Sequence, residues 1–313
     1  MSETTENSAL LKLSDEEQAV LNTVMYFDGF GYPLKPSEVH QYAPIKMSAL
    51  NVLPCLNYMV NHGLMFQQGN FFSMRDDAAL VQKRQDSKSA SVSMIKAAKR
   101  LSSLISRFPF VRSICITGNL ARGFVSAEDY LEFFIIAKPG RLWLARALLL
   151  GFKKVFLLNN KRYFNMNYFV DSEKLEIPDK NLYTATQLKT LVPVYNAELY
   201  QQFVKANEWA TEFLPNMKPV SIAGVSALKV FPIRATIEGV FNLTIGGMLN
   251  KKYQRGSIKN WKLNCDISAE TVAMLDSGSY ISIPLVAKTQ YNILNAYATN
   301  SNAFKSQHET NLT

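Results

Sequence analysis

The polar residues best placed to do chemistry fall between positions 111 and 171. An apolar run, Val111-Arg112-Ser113-Ile114-Cys115-Ile116-Thr117, reads as a buried strand and leads into Gly118-Asn119-Leu120-Ala121-Arg122-Gly123. After a spacer comes a second apolar strand, Tyr130-Leu131-Glu132-Phe133-Phe134-Ile135-Ile136, in which Glu132 is the acid. Side chains alternate faces along a strand, so Tyr130 and Glu132 share one face and Asp129 and Leu131 the other. Glu128, on the Glu132 face if the strand starts that early, would stand ~13 Å away. A later strand, Arg162 to Val170, puts Asn165 and Asn167 on one face, and Asp171 follows on the same alternation. Magnesium takes several oxygen ligands at about 2.0–2.1 Å and usually draws on one or two carboxylates plus phosphate oxygens. A metal here would rest on Glu132 at most. Gly118-x-x-x-x-Gly123 is not followed by Lys-Ser or Lys-Thr, which removes the P-loop reading. His40, His62 and His308 form no zinc-ligand spacing with Cys55, Cys115 and Cys265, and no Ser-His-Asp arrangement is indicated.

The order strand, glycine turn, spacer, acid inside an apolar strand resembles the polymerase β-like nucleotidyltransferases, in particular bacterial members with an N-terminal winged helix. The signature of that family is Gly-Ser, about ten residues, then Asp-x-Asp. Here Asn119 stands at the serine position, Tyr130 at the first acid and Glu132 at the second. The third acid of the family comes from a later strand, where Asn167 is the matching position. The resemblance implies a glycine turn that cradles nucleotide phosphates, through Gly118, Asn119, Arg122 and Gly123, and Mg2+ only if the site is active. With the acids so depleted, it implies a catalytically inactive or impaired fold that keeps a nucleotide-binding or protein-interaction role. One alternative is an active transferase with a rearranged site, in which Glu132 and Asp171 share a metal. Another is a winged-helix DNA-binding regulator or scaffold.

The surrounding elements follow from local patterns. Ser14-Asp15-Glu16-Glu17 is a helix start with a capping box, and Val20, Leu21, Val24 and Phe27 recur at helical spacing. A short helix is expected from Ser37 to Tyr42 and another helix from Ser48 to Asn61, with Pro54 a point for a kink. Residues 64–74 read as a hairpin turning at Gly69-Asn70. Three helices and a hairpin make a winged-helix pattern. Its third helix offers Lys46, Ser48 and Asn51 and no arginine, which favours a protein partner over DNA, since phosphate contacts dominate nucleic-acid affinity. A helical connector runs from Asp77 to Arg107. Beyond the Asn165 strand, a helix is expected over Thr184–Val192, interrupted by Pro193, another over Ala197–Phe213, and helix-like segments over Ile233–Leu249.

The expected fold class is therefore α+β: an N-terminal winged helix, a central nucleotidyltransferase-like mixed β-sheet with flanking helices, and a helical C-terminal extension. The segments are 1–12 disordered, 13–76 winged helix, 77–109 connector, 110–215 nucleotidyltransferase-like, 216–300 helical, and 301–313 a disordered tail. Of the 313 residues, 48% are hydrophobic and 19% charged, enough for buried cores. A formal charge of +9 favours anionic partners such as nucleic acid or an anionic membrane surface, without choosing between them. The basic segment Lys251, Lys252, Tyr253, Arg255, Lys259, Trp261, Lys262 adds to that. Leu142 to Leu158 is the most apolar stretch but is broken by Arg146, Lys153 and Lys154. It reads as a packed helix, with an interfacial helix as the alternative. Scattered cysteines and a polar, acidic start predict a cytoplasmic protein.

Overall fold

The computed structural model describes residues 12–125, 129–156, 165–229, 231–241, 244–264, 280–282 and 284–308. The architecture is mixed α+β, and the chain divides into two compact units. The smaller comprises Met1–Gln82, Thr211–Lys218 and Tyr291–Thr313; the larger comprises Lys83–Ala210 and Pro219–Gln290.

In the smaller unit, α1 (Asp15–Asp28), α2 (Pro36–Tyr42) and α3 (Ala49–Asn61) precede a hairpin, β1 (Phe66–Gln68) and β2 (Phe71–Ser73). The α1 capping box forms as the sequence predicts: Glu17 N–H donates to Ser14 Oγ and Ser14 N–H to Glu17 Oε2. Val20, Leu21, Val24 and Phe27 are buried. Helix α3 continues across Pro54. The hairpin turns at Gly69-Asn70, with Gly69 at φ +60°, a left-handed conformation suited to glycine. Leu34 and Phe72 exchange backbone hydrogen bonds of 2.9 and 2.8 Å, an isolated antiparallel bridge at the edge of the hairpin. Arg75 Nε binds Asp28 Oδ1 at 2.9 Å and fastens the end of the hairpin to the end of α1. Asn216 donates to the carbonyls of Ile45 and Ala43 and accepts from Met47 N–H, fixing the turn before α3.

The larger unit is built on a five-stranded sheet of order β6-β3-β4-β5-β7. Its strands are β3 (Val111–Thr117), β4 (Glu132–Ala137), β5 (Asn165–Asp171), β6 (Val192–Tyr195) and β7 (Ile281–Ser282). Strand β3 runs antiparallel to β4 and β6, β4 is parallel to β5, and β5 is antiparallel to β7. Helix α4 (Ala78–Ile105) leads into β3, the single turn α5 (Gly118–Ala121) follows it, and α6 (Leu142–Phe156) lies between β4 and β5 in sequence. Helices α7 (Leu182–Lys189), α8 (Ala197–Ala206) and α9 (Ala210–Phe213) come next, then α10 (Pro232–Phe241), α11 (Thr244–Asn264) and α12 (Pro284–His308). The core gathers Phe110, Phe133, Phe134, Phe169 and Phe203, with Tyr168 stacked on Phe134 at 4.8 Å. Helix α6 is a packed helix, its Trp143 buried against Trp261 of α11. Among the described residues no helix is long and apolar enough to cross a membrane.

Three expectations change. Pro193 does not interrupt a helix; it lies in β6, which forms an edge of the sheet. An edge strand tolerates the missing N–H that a central strand could not. The helix expected over Ala197–Phe213 stops at Ala206, because the Asn207 side chain turns aside to donate to Leu175 O and accept from Ile177 N–H, both at 2.8 Å. Helix α12 continues through His308, beyond residue 301 where a tail was expected, and Phe304 is buried on it. The expected disorder of 1–12 concerns residues that, apart from Lys12, lie outside the described ones, as do residues 309–313.

Candidate functional site

Thr117 pairs with Glu132, so the glycine turn at the end of β3 sits directly beside the start of β4. Gly118 has φ +73°, and a Cβ built on it would fall 2.0 Å from Glu132 Oε2. The Glu132 carboxylate therefore rests on the bare backbone of the turn, a position only glycine leaves open. Gly123, at φ +74°, closes the turn, and its carbonyl accepts from Arg84 Nη1 at 3.0 Å. Between the glycines, Asn119 Nδ2 donates to Asp129 Oδ1 at 3.0 Å, and Asn119 Oδ1 accepts from Arg122 Nη2 at 2.8 Å. Asn165, opposite Glu132 on β5, donates a long 3.5 Å bond to Glu132 Oε1. Tyr183 of α7 is buried; burial pushes its hydroxyl pKa up to about 12, with nearby Arg122 drawing it down and Glu132 raising it.

The structure thus brings together Gly118, Asn119, Arg122, Gly123 and Glu132, and adds two residues the alternation argument left out. Asp129 had been assigned to the opposite face. Strand β4 begins only at Glu132, so strict alternation does not extend to 129–131, and Asp129 reaches the turn. For the same reason Tyr130 is not a strand residue beside Glu132; it is 46% exposed. Tyr183 carries no local pattern that marks it, because it arrives from α7. Asn167 is the extra residue where the β4–β5 register shifts, between the pairs Phe133–Met166 and Phe134–Tyr168. Its side chain, like Glu128, lies outside the described residues.

Asp171 is separated from this site. It pairs with Ala137 at the other end of β5, six residues beyond Asn165 and so ~20 Å along the strand. There it is buried, accepting from Gly140 N–H at 2.7 Å and Glu173 N–H at 2.9 Å. Burial raises its carboxyl pKa, and the two backbone donors oppose that shift. Glu132 and Asp171 cannot share one ion, which removes the rearranged metal site as drawn from the sequence. Among the described residues no group of three or more His, Cys, Asp or Glu could hold a metal.

The other sequence candidates lie elsewhere. Lys251, Lys252, Arg255 and Lys259 are exposed on α11, but Trp261 is buried beneath Arg146, with the guanidinium 5.0 Å from the ring centroid. Trp261 is therefore closed to base stacking. On α3, Asn51 is held by both Glu16 carboxylate oxygens, while Leu50 is 84% and Leu53 46% exposed. Cys55 and Cys115 are buried free thiols, and burial raises the pKa of each, which disfavours the thiolate. Comparison with protein-family models, with curated proteins and with solved structures returns no match to this chain.

Proposed function

We propose that the larger unit is a nucleotidyltransferase-like domain that no longer transfers nucleotides and serves in recognition. The carrying observation is the position of Glu132. This acid lies against Gly118, with an asparagine opposite it on β5 and an Asp129–Asn119–Arg122 hydrogen-bonded chain beside it. Two-metal transfer needs a symmetric clamp on the attacking and leaving oxygens. Asparagine amides at those places supply no charge for it. The sheet order supports the reading: β3 and β4 antiparallel, β4 and β5 parallel, and the glycine turn and α5 between the first pair. A carboxylate over the turn also weighs against tight triphosphate binding, so recognition of another macromolecule is preferred to nucleotide storage. The test is incubation of the full chain with labelled nucleoside triphosphates, Mg2+ or Mn2+, and protein, sugar and RNA acceptors. No label should be transferred. Transfer that Glu132→Gln abolishes would overturn the reading.

A second reading concerns the smaller unit, where α1, α2, α3 and the hairpin, joined by the Leu34–Phe72 bridge, follow a winged-helix order. Exposed Leu50 and Leu53 on α3 favour a protein partner there over DNA. A gel shift at low and high salt checks this. Retarded DNA whose binding falls steeply with salt and is lost in Lys46→Gln would reverse that preference.

A further inference from the structure

A groove of about 210 Å³ opens in the larger unit between the last turns of α4, the edge strand β6 and the segment at 221–231. Lys99, Arg107 and Lys229 line it, and no carboxylate does. Among the described residues none of these three cations is in an ion pair. Glu238, an acid held through Arg234 behind the groove, is already engaged by Phe110 N–H, Arg112, Arg234 and Lys138. Three like charges around one small opening repel each other, and the arrangement is relieved when an anion enters.

Two of the cations, Lys229 and Arg107, are also positioned by their surroundings. Tyr195 Oη accepts from Lys229 N–H at 3.1 Å and from Arg234 Nη1 at 3.4 Å, fixing the backbone that carries Lys229. Asn196 N–H donates to Ser226 O at 2.7 Å, securing the same segment to the edge of β6. The Arg107 guanidinium lies 6.0 Å from the Phe231 ring centroid, which steadies it at the rim. Ser103 and Ser226 add hydroxyls to the lining. The volume lies below the ~300–1,000 Å³ of pockets for drug-sized ligands, so the occupant is compact. Guanidinium and ammonium donors together match the oxygens of a phosphate group.

We propose that this groove binds the phosphate group of a small phosphate ester or a phospholipid headgroup, with Arg107, Lys99 and Lys229 as anchors. The site shares no residue with the glycine turn, so it stands or falls independently of the transfer question. Calorimetry on the full chain with inorganic phosphate and with ribose 5-phosphate, at constant ionic strength, gives the first arm. Sedimentation with phosphatidylcholine vesicles containing or lacking phosphatidylinositol 4-phosphate gives the second. Saturable binding in either arm is expected, and the arm that responds identifies the source. Arg107→Gln and Lys229→Gln, both at exposed positions, should each weaken it about tenfold, the size of one charge-assisted contact. Lys205→Gln, an exposed cation away from the groove, and Glu132→Gln should leave it unchanged. Binding should also strengthen from pH 5 to 7, because the second phosphate pKa lies near ~6. Absence of saturable binding in both arms, or equal binding by wild type, Arg107→Gln and Lys229→Gln, overturns the proposal.

Discussion

Two acids in the larger unit are used in opposite ways. Glu238 on α10 is met by cations: both terminal nitrogens of Arg112, Arg234 Nε at 3.5 Å and Lys138 Nζ at 3.8 Å, with Phe110 N–H at 2.7 Å. Glu132 is met by the bare backbone of Gly118 and the amide of Asn165, in a neighbourhood of asparagines, one aspartate and Arg122. The first arrangement is a structural lock, since a buried acid so surrounded is more useful ionised than neutral. The second sets a carboxylate against a glycine turn, among side-chain amides.

The largest effect should come from Glu238→Ala, which leaves buried Arg234 and partly buried Arg112 uncompensated. Breaking a buried pair costs about 3–5 kcal/mol, measurable by urea unfolding. Burial alone would raise the carboxyl pKa of Glu238, but the bonds from Arg112 and Phe110 N–H, with the Arg112 and Arg234 charges, outweigh it and hold it below the usual range. Its contribution is therefore complete above the unfolded glutamate value and lost as pH falls through the lower folded value. Wild type should show that acid loss and Glu238→Gln a smaller one.

Gly118→Ala should cost about 2–3 kcal/mol, from a left-handed backbone plus displacement of the Glu132 carboxylate. If that contact is the cause, Gly118→Ala combined with Glu132→Ala should cost less than the two separately, as a double-mutant cycle would measure. Equal, additive costs would mean that the carboxylate does not rest on the turn. Asn119→Ala removes one donor and one acceptor of a partly exposed chain and should cost about 1 kcal/mol. Tyr130→Ala should fall within about 0.5 kcal/mol, as surface changes do. A larger loss would place Tyr130 back in the strand.

Much of the fold was legible because it is local. The Ser14 cap, the Gly69-Asn70 turn, the apolar run into Gly118 and the α6 helix each carry their own pattern over a few residues. What escaped depended on distant partners. Pro193 reads as a helix breaker until β6 is seen to lie at a sheet edge. Asn207 reads as a helix residue until Leu175 and Ile177 are brought beside it. Within the site, Gly118, Asn119, Arg122 and Glu132 stand out through the order of strand, glycine turn and acid and the family that order resembles. Asp129 falls on the wrong face when alternation is extended three residues before the strand begins, and Tyr183 has no marker at all. The Asp171 error is one of direction: shared alternation says nothing about which end of a strand a residue occupies.

Phe110, fully buried and at φ +69°, is a bulky residue in a conformation that glycine usually fills. The group that ties down its N–H comes from 128 residues later in the chain. During synthesis, the Phe110 carbonyl can be met by Lys138 N–H as soon as β4 is made, but its N–H finds an acceptor only after α10 has left the ribosome. Chains cut short before Pro232 would have every residue of β3, β4, β5 and β6 and still lack that acceptor at the start of the first of them.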